Sequence, residues 1–265
     1  MYDEKEIQVS IIRMNKMITS IKNEHVKLLR KLQKKKYRNE RQAFLIEGFH
    51  LVEEAWKSNW EIEEVIVQEG VELPEWCRDF PYEIVSGTVF QHISQTISPQ
   101  GVAAVIKMGK SDPGVGDLLL LLDSIQDPGN LGTMIRTADA AGFDGIILGN
   151  DTVDLFNDKV IRATQGSLFH IPVVQSDLMT EVTRLKQNGY DVWATALDNA
   201  KAYTETAAAD KVALIVGNEG AGVNNELLKM ADKIVNIPIY GKAESLNVSI
   251  AAGILMYHIK VASTK

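Results

Sequence analysis

Three segments of this 265-residue chain combine glycines, amides and few charged groups, each following an apolar run. The first runs from Asp127 through Pro128, Gly129, Asn130, Leu131 and Gly132 to Arg136 and Thr137. Pro128-Gly129 is a turn signal, and Asp127 or Asn130 can cap a following helix. Gly132 and Arg136 are four apart and share a helix face. The bare glycine leaves room beside the guanidinium for a phosphate or ribose edge, and Arg suits bidentate phosphate contact. A surface salt bridge is the plainer use of such an arginine. The second segment, Gly217-Asn218-Glu219-Gly220-Ala221-Gly222, has three glycines in six residues. It permits unusual backbone angles, so backbone groups can hold a neutral purine or ribose. A tight turn is the competing reading. The third runs from Tyr240 through Gly241, Lys242, Ser245, Leu246 and Asn247 to Ser249. Ser245 is a candidate cap for the last helix, and Asn247 offers both a donor and an acceptor.

Several other chemistries have no support in the sequence. No Walker A loop occurs, and no G-x-G-x-x-G follows the first strand of this half, which disfavours a nucleotide-binding oxidoreductase. No H-E-x-x-H and no G-x-S-x-G elbow is present. The five histidines are scattered, and one cysteine, Cys77, makes neither a disulfide nor a metal knuckle. No metal is expected, and Cys77 reads as an incidental thiol. The apolar runs are too short to span a bilayer, and the N-terminal MYDEKEIQVS lacks an export pattern. A cytoplasmic protein is the simple expectation.

Alternating apolar strands and helices position these loops. Residues 24–38 read as one basic amphipathic helix, with Ser20 or Asn23 as its cap. Strands follow at Phe44 to Ile46, Glu63 to Val67, Tyr82 to Val85 and from Gly101, with a helix from about His50. This small α/β unit ends near Met108, and residues 109–116, rich in glycine, form a linker. From Leu118 onward, short strands apolar on both faces alternate with helices, the pattern of a mostly parallel sheet covered on both sides. Ligands of such sheets bind beyond the C-terminal strand ends. The three loops fall at such ends.

The net charge of −7 hides an asymmetry: residues 1–50 carry 12 Lys/Arg against 6 Asp/Glu, and the rest of the chain 16 against 29. Lys22 to Arg41 holds nine basic and two acidic residues. A solvated helix face is the bland reading; a polyanion, however, senses local potential rather than the total.

Taken in order, N-x-G-x-x-x-R at Asn130 to Arg136, I-V-G-N-E-G-x-G at Ile215 to Gly222 and I-P-I-x-G-x-x-x-S-L-N-V-S at Ile237 to Ser249 resemble the SpoU (TrmH-like) family of RNA ribose 2′-O-methyltransferases. KVIRATQGSLFHIPV, from Lys159, looks like the family's intermediate segment, with Thr164 where most relatives have serine. FLIEGFHLVEEA and QGVAAVIK are similar to the family's small L30e-like substrate-binding domain. The resemblance implies residues 1–108 as that domain and 117–265 as an α/β methyltransferase domain with a deep trefoil knot, despite the general rarity of knots. It implies a homodimer, S-adenosylmethionine as cofactor, and structured RNA as substrate, ribosomal rather than transfer RNA, with no DNA or membrane partner. By likeness, Asn130, Arg136, Glu219, Ser245 and Asn247 stand at active-site positions. Thr195, Gly217, Asn218, Glu219, Gly220, Ile237, Leu246 and Asn247 stand at cofactor positions. With RNA as substrate, Lys22, Lys27, Arg30, Lys34, Lys35, Lys36, Arg38 and Arg41 become candidates for phosphate contact. Methylation of tRNA, on ribose or base, and a non-catalytic RNA-binding protein are the rival readings.

Overall fold

The computed structural model describes residues 17–109 and 116–263. The N-terminal decapeptide and most of the expected linker lie outside them. Two sheets organise the chain. The first has strands β1 (Ala43–Glu47), β2 (Ile62–Gln68), β3 (Tyr82–Val85) and β4 (Val102–Lys107), in the order β1-β4-β2-β3. β4 runs antiparallel to both neighbours, and β2 pairs β3 in parallel.

Period-two alternation along β4 sends side chains to two separate cores. Ala103 and Val105 join Val26 and Leu29 of helix α1 (Glu24–Lys31) and Val89, Phe90 and Ile93 of α4 (Gly87–Ile93). Val102, Ala104 and Ile106 join Leu51, Val52 and Ala55 of α3 (Phe49–Lys57), and this core continues into the second half of the chain. The basic helix α1 therefore covers the sheet face turned away from that half. Asn23 caps it, accepting from the His25 N–H at 2.8 Å. The single helix expected over 24–38 is broken: α2 starts afresh at Lys35 and runs Lys35–Arg41. Arg38 donates to the Leu32 carbonyl in the break at 2.8 Å and pairs with Asp154 of the second half.

The second sheet is parallel throughout. Its strands are β5 (Leu118–Leu122), β6 (Gly145–Leu148), β7 (Val173–Gln175), β8 (Asp191–Thr195), β9 (Lys201–Ala202), β10 (Val212–Val216) and β11 (Lys233–Asn236), in the order β7-β6-β5-β10-β8-β11-β9. Apolar clusters cover both faces, as the fully apolar strands require. Helices α5 (Pro128–Ala140), α6 (Asp158–Thr164) and α9 (Val248–Ser263) lie with one cluster; α7 (Leu178–Gln187) and α8 (Asn225–Met230) lie with the other.

Aromatic side chains join the halves: Phe44 stacks at a tilt on Phe156 at 4.5 Å, and Trp60 meets Phe169 edge-on at 5.3 Å. The Trp60 indole N–H also donates to the Phe169 carbonyl at 3.2 Å. Among the described residues, no helix is long and apolar enough to cross a membrane, and no cluster of metal-ligating side chains forms.

Candidate active site

The site is built where β8, β10 and β11 end. Val216 closes β10, and the chain then turns through Gly217–Gly222. Mutual hydrogen bonds of 3.0 Å between the backbones of Asn218 and Gly222 pinch this turn. A Cβ at Gly217 would fall 2.2 Å from the Gly222 carbonyl carbon, so only glycine permits the closure. Asn218 holds the turn from inside. Its side-chain oxygen accepts from the N–H groups of Gly220 and Ala221 at 2.9 Å, and its amide donates to the Ser124 carbonyl at 2.8 Å. Ser124 has φ of 59°, an uncommon left-handed backbone for a non-glycine residue, at the point where β5 leads into α5.

Glu219 reaches from this turn to the N-terminus of α5. Its carboxylate accepts from the N–H of Asp127 at 3.0 Å, the N–H of Gln126 at 3.2 Å and the side-chain amide of Asn130 at 3.1 Å. Asp127 is the cap of α5, accepting from Asn130 N–H at 2.8 Å, which settles the choice left open between those two residues. Partial burial pushes the Glu219 carboxyl up, but the bonds from Asp127, Asn130, its own N–H and Gln126 outweigh it and leave the group below its ordinary value.

The third loop closes the circuit. The Asn247 amide donates to the Asn130 side-chain oxygen at 3.0 Å. Asn247, not Ser245, caps α9: its oxygen accepts from Ser249 N–H at 2.9 Å and from the Ser249 hydroxyl at 2.6 Å. Ser245 has no hydrogen-bond partner among the described residues and faces a cavity instead.

That cavity has a volume of about 220 Å³. Thr195, Gly217, Asn218, Glu219, Gly220, Ile237, Ser245 and Leu246 all line it. Val216, Val235, Val248 and Leu255 supply further apolar wall. Asn130 and Asn247 stand at its edge through Glu219. Arg136 is exposed on α5 and has no ion-pair or hydrogen-bond partner among the described residues. The room expected beside it at Gly132 is not there. A Cβ on Gly132 would meet that of Ala163 at 2.4 Å, so this glycine serves the close packing of α5 on α6. Gln126, Asp127 and Ser124 enter the site through backbone groups, which residue types alone do not reveal.

The expected RNA-contact set divides. Arg38 leaves it: this side chain is buried and committed to Leu32 and Asp154. Lys27 pairs with Glu24 at 2.7 Å, Lys36 with Glu40 at 3.8 Å and Arg41 with Glu63 at 3.0 Å, while Arg30 donates to the His92 carbonyl at 2.6 Å. Lys22, Lys34 and Lys35 are exposed and have no ion-pair partner among the described residues.

A cavity at the ends of parallel strands, edged by Glu219, Asn130 and Asn247 and walled by glycine loops, belongs to a known class. The SpoU rRNA Methylase family model matches residues 117–257, and the MRM3-like substrate binding domain model matches residues 23–104. The chain belongs to the SpoU rRNA methylase family. It is 47% identical over 246 residues to the Bacillus subtilis 23S rRNA (guanosine(2553)-2′-O)-methyltransferase RlmP, covering 92% of this chain and 99% of that one. It superposes on the AdoMet-bound rRNA methyltransferase of Sinorhizobium meliloti with a TM-score of 0.83 and 35% identity, covering 93% and 97% of the two chains. The SpoU methyltransferase AviRb of Streptomyces viridochromogenes, in complex with AdoMet, gives 0.81 and 26%, covering 90% and 97%.

Proposed function

We propose that this protein transfers a methyl group from S-adenosylmethionine to the 2′-hydroxyl of a ribose in ribosomal RNA, with a 23S rRNA guanosine as the target. The observation that carries this reading is the Glu219–Asn130–Asn247 circuit, which joins the three family motifs around one cavity. The near full-length likeness to RlmP supports the choice of substrate.

The cavity fits the cofactor by the character of its walls. Val216, Val235, Ile237 and Leu246 offer an apolar slot for an adenine, and Thr195 with the Asn218–Gly220 turn offers polar contacts for ribose and the amino-acid part. When bound, S-adenosylmethionine supplies an electrophilic methyl carbon on a good leaving group. The protein's tasks are alignment, phosphate anchoring and help in releasing the hydroxyl proton. A guanidinium offers no acceptor lone pair, so Arg136 fits a positioning role better than that of a base. Its guanidinium, without a partner among the described residues, binds a substrate phosphate and stabilises negative charge developing on the 2′-oxygen. Glu219 is spent on the α5 N-terminus and Asn130, which makes it an orienting group.

Residues 1–108 act as the RNA-binding domain, 109–116 as linker and 117–265 as the methyltransferase domain. Two separate sheets and two separate family matches support this division. Family membership supports a trefoil knot in the C-terminal domain. It also supports a homodimer, as do Ile250, Tyr257 and Val261, exposed apolar residues on one face of α9. The protein works in the cytoplasm, on RNA of the ribosome. Mapping 2′-O-methyl positions in rRNA from cells with and without the gene tests the reading. Loss of one ribose methylation is the expected result; an unchanged rRNA with an altered tRNA nucleoside would replace it.

A further inference from the structure

We infer that Tyr240 is the stacking platform for a nucleobase of the RNA at the mouth of the cavity, with Lys242 beside it for a phosphate. The inference rests on the proposed RNA methylation. Its starting point is what the cavity lacks: none of its lining residues is aromatic. A ribose whose 2′-oxygen must reach this cavity belongs to a nucleotide drawn out of regular stacking. Proteins hold such bases on aromatic faces, because every base has a π-face.

Tyr240 is the aromatic residue at the rim. Ile237 and Ile239 point into the cavity, and Ser245 and Leu246 return to it. The intervening residues 240–244 are all exposed. Tyr240 is 95% exposed, far beyond Trp56 at 37% and Tyr257 at 50%, the other large aromatics on the surface. No hydrogen bond or ring contact within the described residues uses it. Exposure of a single side chain needs no explanation by itself; what points to a nucleobase is a free aromatic face between two cavity-lining pairs, Ile237 with Ile239 and Ser245 with Leu246. Gly241 next to it has open space where a Cβ would be, which lets a backbone approach. Lys242, two residues on, has no ion-pair partner among the described residues. The far end of this loop is tied to α5 through Asn247 and Asn130, so loop and arginine helix border one site. An aromatic face with a cation beside it fits a nucleotide better than an apolar protein surface.

The test uses the full-length protein and rRNA from cells lacking the gene. Base–aromatic stacking predicts that Tyr240→Ala lowers kcat/KM for RNA by about 10- to 100-fold. Tyr240→Phe and Tyr240→Trp keep the π-face and stay within about threefold of the parent. The dissociation constant for S-adenosylmethionine stays the same in all three. In the Tyr240→Trp protein, added RNA quenches the new indole emission, beyond any change seen in the parent. The inference is overturned if Tyr240→Ala retains full kcat/KM, or if the new indole is blind to RNA. It is also overturned if the alanine variant loses cofactor affinity or changes its sedimentation, which would make Tyr240 a cofactor or subunit contact. The quenching needs no turnover. A parent protein that transfers no methyl group therefore strikes the proposed function and leaves the stacking test standing.

Discussion

The side-chain amide of Asn247 donates to the side-chain oxygen of Asn130 at 3.0 Å, across 117 positions of sequence. Asn130 in turn donates to Glu219 at 3.1 Å. One carboxamide thus uses its acceptor toward α9 and its donor toward the glycine turn. Neither an ionised carboxylate nor an apolar residue can do both.

Asn130→Asp therefore removes the donor and sets a second carboxylate against Glu219. The expected loss is about 100-fold in kcat, similar to removing one preorganised donor from an active site. Asn130 is half-buried and lies outside the cavity lining, so the cofactor dissociation constant changes little. Steady-state kinetics with RNA, paired with cofactor titration, checks both halves. Retained kcat would mean the circuit is structural only.

Arg136 offers a cleaner separation of activity from stability. Its guanidinium has no partner within the described residues, so Arg136→Ala should leave the unfolding free energy within about 0.5 kcal/mol of the parent. Activity should fall by roughly 100-fold or more, with the phosphate anchor and the charge opposite the alkoxide both gone. Arg136→Lys restores charge without the planar fork and recovers only part of the rate. A lysine variant as fast as the parent would sink the geometric role of the fork.

Much of this was readable from sequence because strand and loop carry separate signals. The alternation of strand and helix expected from Leu118 onward is there, with α7 over Leu178–Gln187 between β7 and β8. The strands over Glu63 to Val67 and Tyr82 to Val85 were found because alternating or wholly apolar runs have few other uses. The residues expected at the cofactor site line one cavity, apart from Asn247 at its edge. What escaped depends on distant partners. α4 is seven residues of Gly-Thr-Val-Phe-Gln-His-Ile, with three β-branched side chains and little helical periodicity. The break after α1 follows from Arg38 reaching Leu32 and Asp154, a pairing across 116 positions. The role of Gly132 depends on Ala163, and the grip on Glu219 comes from backbone N–H groups, which have no sequence signature.

The Glu219 carboxyl gives a pH prediction with a definite sign. Its folded-state pKa lies below the ordinary 4.5, because hydrogen bonds outweigh partial burial. A depressed carboxylate contributes stability in full above its unfolded value and loses it as pH falls through the folded value. The difference in Tm between the parent and Glu219→Gln should therefore be constant from about pH 6 to 8 and shrink below about 4.5. The pH–rate profile near neutrality should show no limb from this group. Thermal scans across pH decide it; a difference that already shrinks near pH 6 would contradict the assignment.

Cys77 is fully buried, and desolvation pushes its thiol up to about 11. At pH 8 a thiol reagent should react only through unfolding or local opening. Alkylation of the native protein should thus be slower than that of the urea-unfolded chain by several orders of magnitude, and should follow the opening rate as denaturant is added. Rapid labelling under native conditions would show that the Pro74 to Phe80 region opens easily.

The basic N-terminal segment is best tested by salt. Its charges are not equivalent: Arg38 is buried and locks the two halves together, whereas Lys34 and Lys35 are exposed without ion-pair partners among the described residues. Removing Arg38 leaves Asp154, itself mostly buried, without its counter-charge. Arg38→Met should cost about 3 kcal/mol, the low end for a broken buried pair. Remaining folded Arg38→Met protein should bind RNA with an unchanged salt slope. Each of Lys34→Ala and Lys35→Ala should do the reverse, sparing stability and lowering the slope of log K against log salt by about 0.7–0.9. Lys34 and Lys35 stand at the start of α2, whose Arg38 pairs with Asp154, so RNA held by these lysines lies at the seam with the second half. If the slope is the same with both lysines gone, the basic segment is a solvated surface and the grip on RNA lies elsewhere in residues 23–104.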